Sequence, residues 1–387
     1  MQLFIGKIEF ASFRNLVLLL CVLSGLCVKI SAQEFKTLKP GVEYAEVTKE
    51  ISGLKVNMNL LRLDLTKVRL DVHHAMDAAI GTEKTSSIAA RHGAFAAINA
   101  GFFRLDNSIF AGSAAGLLII NRAIVSDPSK DRIALGLTNG KLATEVAIGR
   151  LQLTQLIFRG KREIDVSGTN RELGKDEIVL YTPYFHRTTL TRNPGIEIIV
   201  RKNRVFKVVR GNGSSEIPSN GYVVSANGRG VTKLEMFAKV GAVVETGTRV
   251  QIFTISHQPA PPEIEKFEDA VAGVPQLIKD GTIDITWEQE KTTKSFVETR
   301  HPRTAVAKLR DGKFLMITVD GRSEASGGIG LQDLAEYLLS LGATDAMNLD
   351  GGGSTTMFVD GKVVNKPSDK EGERKVGDAI LVTLRKK

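Results

Sequence analysis

The chain has 387 residues, 42% of them hydrophobic, and its formal charge at pH 7 is +9. This length suits one large or two ordinary domains, and the composition is typical of a globular protein with a hydrophobic core. The basic runs, such as Arg385-Lys386-Lys387, are short and lack interleaved aromatic residues. The sequence therefore does not favour nucleic acid as a partner, whereas an anionic substrate is compatible with the charge.

The first 32 residues form a segment of their own. Lys7 and Arg14 precede an apolar run over residues 16–28, and a small residue, Ala32, follows. This pattern predicts a secretory signal peptide that is cleaved after Ala32. The apolar run is too short for a comfortable membrane span, so we expect an exported protein, periplasmic or secreted, without a stable span.

The predicted mature chain contains no cysteine, because Cys21 and Cys27 both lie in the signal peptide. It can therefore form no disulfide and has no thiol nucleophile. We divide it into an N-terminal β-rich part over residues 33–92 and a main domain over residues 93–387, both belonging to one fold.

Period-two alternation of apolar residues predicts strands in the first half of the chain. Residues 60–65 and 68–72 alternate in this way around a turn at Thr66-Lys67. Hairpins are predicted around Asn121-Arg122 and around Lys202-Asn203. The other elements predicted in this half are a strand over residues 178–181 and a short helix over residues 85–92.

The clearest helix is predicted over residues 331–341, where apolar residues recur at helical spacing. A strand at residues 314–319 precedes it, and a strand at residues 346–349 follows it. Asp320 and Asp350 come directly after these strands. If the two strands are parallel, both carboxylates leave the sheet at one edge, where ligands bind in such units. Many hairpins with a few packed helices predict an α+β fold with mixed sheets.

The stretch from Asn348 to Met357 contains three consecutive glycines beside one aspartate. Glycines are kept where the backbone needs a positive φ or approaches another group closely. One interpretation is a tight hairpin turn between two strands. The other is a nest formed by the backbone amides of Gly351 to Ser354, which would bind an anion with Asp350 at its rim. The stretch is not a Walker A loop, because no lysine follows the glycines.

A second polar motif surrounds Pro302, which restricts the backbone ahead of a predicted strand over residues 304–307. Arg303 therefore lies at a strand entrance, where its guanidinium could bind a phosphate or form a surface salt bridge. His301 could act as an acid, a base or a hydrogen-bond donor. The histidines are scattered along the sequence without metal-binding spacing, so no metal ligand is assigned, and no cofactor is expected.

Six short motifs occur along the chain: Asn99–Phe103, Val271–Pro275, His301–Ala305, Val319–Arg322, Asn348–Met357, and Asn365–Asp369 with Glu373-Arg374. Their order resembles that in the phosphodiester glycosidases, the family typified by the enzyme that uncovers mannose 6-phosphate on lysosomal glycoproteins. From about residue 40 onward the chain resembles a bacterial-type member of this family.

This resemblance implies hydrolysis of a sugar-1-phosphodiester, of N-acetylglucosamine-α-1-phosphate type, to free sugar and a phosphomonoester. Asp320 and Asp350 would flank the anomeric carbon as catalytic residues, one attacking or activating water and the other stabilising an oxocarbenium-like centre. The residues that would bind the sugar phosphate are Arg303, Asn99, His301, Arg322, Asn348, Gly351, Gly352, Gly353, Ser354 and Thr355.

Two other functions remain compatible with the sequence. A metal-dependent phosphodiesterase would use Asp320 and Asp350 as metal ligands and break the P–O bond. A non-catalytic envelope protein would bind glycans without turnover, because a fold does not fix a function. In each case Tyr184, Phe185 and the loop at residues 161–171 are predicted to shape specificity.

Overall fold

Strands dominate the part of the chain that this computed structural model describes, which is residues 34–127, 132–253 and 267–386. The predicted signal peptide with both cysteines lies outside these ranges. The strands, in chain order, are β1 (Lys36–Lys39), β2 (Val42–Ile51), β3 (Leu54–Leu63), β4 (Val68–His74), β5 (Glu83–Lys84), β6 (Ala96–Asn99), β7 (Leu118–Ile120), β8 (Ala123–Ser126), β9 (Ile133–Asn139), β10 (Thr144–Arg159), β11 (Arg162–Asp165), β12 (Gly168–Thr169), β13 (Ile178–Tyr181), β14 (Ile196–Arg201), β15 (Arg204–Arg210), β16 (Gly221–Ala226), β17 (Glu245–Phe253), β18 (Asp269–Ala272), β19 (Gln276–Lys279), β20 (Thr282–Ile283), β21 (Arg303–Leu309), β22 (Phe314–Val319), β23 (Ala343–Asn348), β24 (Met357–Val359), β25 (Lys362–Val363), β26 (Lys375–Val376) and β27 (Asp378–Leu384).

The described helices are few and short. They are α1 (Thr85–Arg91), α2 (Arg229–Glu235), α3 (Lys294–Glu298) and α4 (Leu331–Ser340), with 3₁₀ turns at Ala75–Asp77 and Gly352–Ser354. No helix in the described ranges is both long enough and apolar enough to cross a membrane.

Four larger sheets organise these strands. Their strand orders are β1-β2-β3-β22-β21-β23-β19-β20, β11-β10-β9-β18-β7-β8 with β17 also paired to β10, β12-β13-β16-β14-β15, and β25-β24-β6-β27-β4. Mixed sheets with many hairpins and few helices confirm the predicted α+β class.

The strand β21 lies between β22 and β23 and is antiparallel to both of them. The two outer strands are therefore parallel to each other. In this register Arg303 pairs with Val319, and Ala305 pairs with Asn348. The ends of β22 and β23 and the start of β21 thus meet at one edge of the eight-stranded sheet.

Both faces of this sheet are buried, because successive residues of β21 pack into different hydrophobic clusters. Val306 belongs to the cluster that includes Ile98 of β6, in the neighbouring five-stranded sheet. Ala305 belongs to a second cluster, which contains Leu334 of α4. Burial of this apolar surface from two sides is the main stabilising force on the strands that end at the edge.

Several predicted elements are confirmed. The helix α4 and the strand β22 lie where the apolar spacing placed them. Both hairpins form, and Asn121-Arg122 and Lys202-Asn203 have positive φ at both positions, as two-residue hairpin turns require. The strands on either side of Thr66-Lys67 are also present, but β3 and β4 belong to different sheets.

Candidate active site

Two carboxylates leave the eight-stranded sheet at the same edge. Asp320 follows β22 and Asp350 comes two residues after the end of β23, with only β21 between the two strands. Adjacent strands lie ~4.8 Å apart, which puts the two strand ends about 10 Å from each other. Side chains from these ends can therefore face a single small ligand.

Asp350 is fixed by its own backbone and its neighbours. Its N–H donates to the Ala100 carbonyl at 2.9 Å, and its carbonyl accepts from Nδ2 of Asn99 at 2.7 Å. Its Oδ1 accepts from the Gly351 N–H at 2.9 Å. Burial raises the pKa of Asp350 to about 6, although the Gly351 N–H and the positive charge of Arg374 oppose the shift. This carboxyl group is thus suited to proton transfer near neutral pH.

Asp320 is only 7% exposed and is held from the opposite side. Its Oδ1 accepts from the Lys366 N–H at 3.0 Å and from Nδ2 of Asn365 at 3.3 Å. Burial raises the pKa of Asp320 above its usual range, against these two hydrogen bonds. The other Asn365 contacts reach the Thr355 carbonyl and the Met357 N–H, so one amide joins Asp320 to the chain after the glycines.

The triple glycine does not form the predicted hairpin turn. It carries the chain from β23 in the eight-stranded sheet to β24 in a different sheet, through a 3₁₀ turn. The Gly351 N–H is used by Asp350, and the Gly352 N–H donates to the Pro302 carbonyl at 2.9 Å. The N–H groups of Ser354 and Thr355 donate back into the turn. The N–H groups of Gly351, Gly352 and Ser354 are therefore used within the protein, and an anion nest at this turn stays a prediction.

The glycines serve a different purpose, which is to let two guanidinium groups approach the turn. Gly352 has a φ of +61°, and a Cβ there would lie 3.0 Å from Nη2 of Arg322. A Cβ on Gly353 would lie 2.2 Å from Nη2 of Arg374. Nε of the same arginine forms an ion pair with Oδ2 of Asp369 at 2.7 Å. A side chain at Gly353 would therefore displace a charged pair, whereas glycine admits it.

Arg303 is buried, and its Nη2 and Nε atoms donate to backbone carbonyls, so its direct contact with a phosphate stays a prediction. The residue is 2% exposed, its Nη2 donates to the Phe296 and Thr299 carbonyls at 2.7 and 2.9 Å, and its Nε donates to the Ile329 carbonyl at 3.3 Å. Burial, with a smaller effect from Arg322, lowers the pKa of Arg303 to about 10. Its hydrogen bond to Phe296 connects α3 to the start of β21, and its charge lies beneath the sheet edge at which Asp320 and Asp350 are found.

Arg322 is an exposed cation of the site, as is Lys366, whose N–H contacts Asp320. Its Nη2 lies 3.5 Å from Nδ1 of His301, and no carboxylate within the described ranges pairs with it. Burial first, and then Arg303 and Arg322, lower the pKa of His301, which favours a neutral imidazole. Arg322 is therefore the guanidinium that is best placed to meet an anion.

Four predicted binding residues lie behind the surface of the cleft. Asn99, Asn348, Ser354 and Thr355 are at most 1% exposed. The Asn99 amide is used by Asp350, Thr304 and Thr356, and that of Asn348 donates to backbone carbonyls. The contacts of Asn99 and Asn348 are those of positioning residues, and direct contact of the four side chains with a substrate stays a prediction.

Asp378, which the sequence interpretation missed, lies beside Asp350. It is 1% exposed, its Oδ1 accepts from the Gly101 N–H at 2.5 Å, and its Oδ2 is buried with no hydrogen-bond partner among the described residues. The sequence signal that could have identified Asp378 is an acidic residue directly after Gly377, at the start of the last strand.

The fold also changes how the histidines and the predicted specificity residues are interpreted. His73 and His92 are separated in sequence but their rings stack, with centroids 3.7 Å apart. Together with Asp77 they are the group of possible metal ligands found within the described ranges, and this group includes neither Asp320 nor Asp350. Of the predicted specificity residues, Phe185 is fully buried, so it cannot line an open site.

The mixed sheets and short helices make this a protein of the α+β class, and its two strand-end carboxylates lie at one edge of the largest sheet. Residues 194–383 match the model of the phosphodiester glycosidase family. This match confirms the resemblance found in the sequence: residues 194–383 carry a phosphodiester glycosidase domain.

Curated relatives match shorter stretches. An N-acetylglucosamine-1-phosphodiester alpha-N-acetylglucosaminidase of Mus musculus is 28% identical over 180 residues, which are 44% of this chain and 33% of the relative. The Bos taurus protein of the same name is 38% identical over 112 residues, 27% of this chain and 21% of the relative. An uncharacterised SPβ prophage-derived protein of Bacillus subtilis is 42% identical over 94 residues, 24% of this chain and 14% of the relative. The chain thus covers a third or less of each relative.

Solved structures share the fold over most of the chain. A hypothetical protein from Synechocystis has a TM-score of 0.77 at 22% identity, covering 91% of this chain and 64% of that one. A candidate exported protein from Burkholderia pseudomallei has a TM-score of 0.73 at 24% identity, covering 86% of this chain and 75% of that one. At these identities the likeness establishes the fold alone.

Proposed function

We propose that this protein is an exported glycosidase that hydrolyses a sugar-1-phosphodiester of the N-acetylglucosamine-α-1-phosphate type to free sugar and a phosphomonoester. The observation that carries the proposal is the placement of Asp320 and Asp350 at the ends of two parallel strands on either side of β21. The family match and the names of the curated relatives support the choice of substrate class.

In the proposed reaction, Asp350 takes a proton from a water molecule as the water oxygen bonds to the anomeric carbon. The bond between that carbon and the phosphate oxygen breaks, and its electron pair leaves with the phosphomonoester. A phosphate leaving group needs little protonation, so the site needs one base rather than a strong acid. Asp320 stabilises the positive charge that develops on the sugar ring.

Arg322 holds the phosphate, since it is exposed and has no carboxylate partner in the described part of the chain. Neutral His301 donates a hydrogen bond to a phosphate or sugar oxygen. Arg303 acts through its charge, because a buried cation close to the edge makes the site electropositive. Asn99 fixes the position of Asp350 through the carbonyl of that residue.

The test is turnover of an N-acetylglucosamine-α-1-phosphodiester by purified protein in water enriched in ¹⁸O. We expect the label in the sugar and none in the phosphate. Asp350→Asn should lower kcat/KM by about 10²- to 10⁴-fold. Asp360→Asn is the matched control, because Asp360 is an exposed turn residue with a positive φ that asparagine tolerates.

Other outcomes would contradict the proposal in distinguishable ways. Label in the phosphate would indicate P–O cleavage, as by a metal-dependent phosphodiesterase. Saturable binding without any turnover would indicate a glycan-binding protein. An Asp350→Asn variant with the kcat/KM of the wild type would remove Asp350 from catalysis. Export is tested separately, by sequencing the N-terminus of the protein recovered outside the cytoplasm.

A further inference from the structure

A cluster of three metal-ligating side chains lies outside the strand-end site. His73 is in β4, Asp77 is in the 3₁₀ turn that follows, and His92 comes directly after α1. Each offers one ligand atom, and the three atoms lie within 4.8 Å of one another. Asp77 Oδ1 is 3.1 Å from Nε2 of His92 and 3.9 Å from Nδ1 of His73.

The cluster opens into a cavity of about 180 Å³. Its walls include Ile120, Val125 and Tyr184, and its lining contains none of the carboxylates or cations of the candidate active site. His74 also faces the cavity, but its two ring nitrogens lie 3.1 and 3.0 Å from the Ala75 and Gly112 carbonyls. The donor set is therefore two imidazoles and one carboxylate, with room beside it for water or a small ligand.

The backbone that presents Asp77 is strained. Met76 and Asp77 have φ values of +57° and +52°, so two consecutive residues with side chains are in the left-handed region. Such conformations cost about 1–3 kcal/mol each and persist where the surrounding structure holds them in place. Here the strained turn brings the Asp77 carboxylate over the stacked imidazoles of His73 and His92.

The guanidinium of Arg91 already contacts two of the three ligands, Asp77 and His92. Nη1 of Arg91 donates to Oδ2 of Asp77 and lies 3.0 Å from Nε2 of His92. Nη2 of Arg91 pairs with Glu83 at 2.8 Å. Arg91 therefore has a second carboxylate partner, with which it would remain paired if it released Asp77.

We propose that His73, Asp77 and His92 form a zinc-binding site in which Zn²⁺ and the Arg91 guanidinium compete for the same place. Imidazole nitrogen and carboxylate oxygen are ligands that suit Zn²⁺, and three protein ligands leave a fourth position open. Ligand atoms around tetrahedral zinc are ~3.3 Å apart, close to the separations of 3.1 and 3.9 Å from Asp77. To bind one ion, the stacked imidazoles of His73 and His92 must turn apart. The cluster lies outside residues 194–383, the range that matches the family model.

Titration of the full chain with Zn²⁺ in a calorimeter tests this proposal, with Co²⁺ absorption as a spectroscopic report on coordination. We expect one saturable Zn²⁺ equivalent and the visible bands of four-coordinate Co²⁺. His73→Ala should weaken Zn²⁺ binding by at least about 100-fold, the upper end of the loss seen when a supporting residue is removed. His92→Phe should do the same while keeping an aromatic ring against His73. His186→Ala, a change at an exposed histidine outside the cluster, should leave binding unchanged.

Arg91→Gln separates competition from simple proximity, because it removes the resident cation and leaves the three ligands in place. We expect Arg91→Gln to bind Zn²⁺ more tightly than the wild type. Absence of saturable binding in the wild type overturns the proposal, as does equal binding by wild type and His92→Phe. If Arg91→Gln binds Zn²⁺ no more tightly than the wild type, the proposed competition with Arg91 is overturned. Circular dichroism of each variant confirms that the fold is retained.

Discussion

Burial, and then the neighbouring Asp350 carboxylate, raise the pKa of Asp378 to about 7. The backbone of Ala100 joins the two residues, because its N–H donates to the Asp378 carbonyl at 3.2 Å and its carbonyl accepts from the Asp350 N–H at 2.9 Å. Each carboxyl group is more easily protonated than an exposed aspartate. In the unfolded chain both would be ionised above pH ~4. The folded protein thus keeps protons at this site that the unfolded chain has lost.

The first prediction concerns stability. Because the folded pKa of Asp378 is raised, its contribution to stability is fully present below the unfolded pKa and is lost as the pH rises to about 7. Asp378→Asn removes this dependence. As the pH rises from 4 to 8, the unfolding free energy of the variant should therefore increase relative to that of the wild type, by at most about 4 kcal/mol.

Urea denaturation of both proteins at the two pH values measures this change. For each protein, the quantity to compare is the change in unfolding free energy between the two pH values, because the new amide adds an effect that does not depend on pH. Asp360→Asn serves as the exposed control and should show no such change. Equal pH dependence in wild type and Asp378→Asn would mean that Asp378 is ionised in the folded protein.

The second prediction concerns the pH dependence of catalysis. As a base, Asp350 must be ionised, and its pKa is about 6. We expect kcat/KM to rise about tenfold per pH unit below this value and to level off above it. Steady-state rates from pH 4.5 to pH 8 give the profile. A rate that falls between pH 5 and pH 7 would instead assign Asp350 as a general acid.

The third prediction separates the two arginines by charge-conserving substitutions. Arg322→Lys should raise KM or lower kcat/KM by about 10- to 100-fold, because the exposed fork to phosphate is lost. Its effect on unfolding free energy should stay within about 0.5 kcal/mol. Arg303→Lys should instead lower the unfolding free energy by about 2–3 kcal/mol, because three backbone carbonyls lose their donor.

Thermal denaturation and steady-state kinetics of both variants decide between these roles. If Arg303→Lys leaves stability intact and abolishes substrate binding, the original expectation of a direct Arg303 contact is restored.

The fourth prediction concerns the third glycine of the turn. Gly353→Ala would place a Cβ at 2.2 Å from both Arg374 and Asp369, so the ion pair must shift. We expect a loss of about 1–3 kcal/mol in stability together with lower activity, as for other overpacked sites. Gly149→Ala is the matched control, since a Cβ there meets nothing within 4 Å. Equal effects of the two substitutions on stability and rate would refute the packing argument.

Local patterns in the sequence predicted the elements that bring the two aspartates together. Apolar periodicity located α4 and β22, and the strand-helix-strand order placed Asp320 and Asp350 at one edge. These features depend on nearest neighbours along the chain, which is why sequence reasoning could reach them.

The occupancy of hydrogen-bond donors was not predictable in the same way. Whether the Gly352 N–H and the Arg303 guanidinium are free depends on carbonyls that the fold brings in from Pro302, Phe296 and Thr299. The same holds for His73 and His92, whose stacking requires β4 and α1 to meet. Residue type and spacing carry no record of such long-range partners.

The position of β21 between the strands that carry the two acids has a consequence for how the site tolerates change. Distances between neighbouring strands are fixed by backbone hydrogen bonds rather than by side chains. The gap between Asp320 and Asp350 is therefore a property of the main chain. Substitutions along β21, such as Ala305→Gly, can weaken the protein while leaving the separation of the two carboxylates unchanged, so that thermal tolerance and the spacing of these acids can evolve independently.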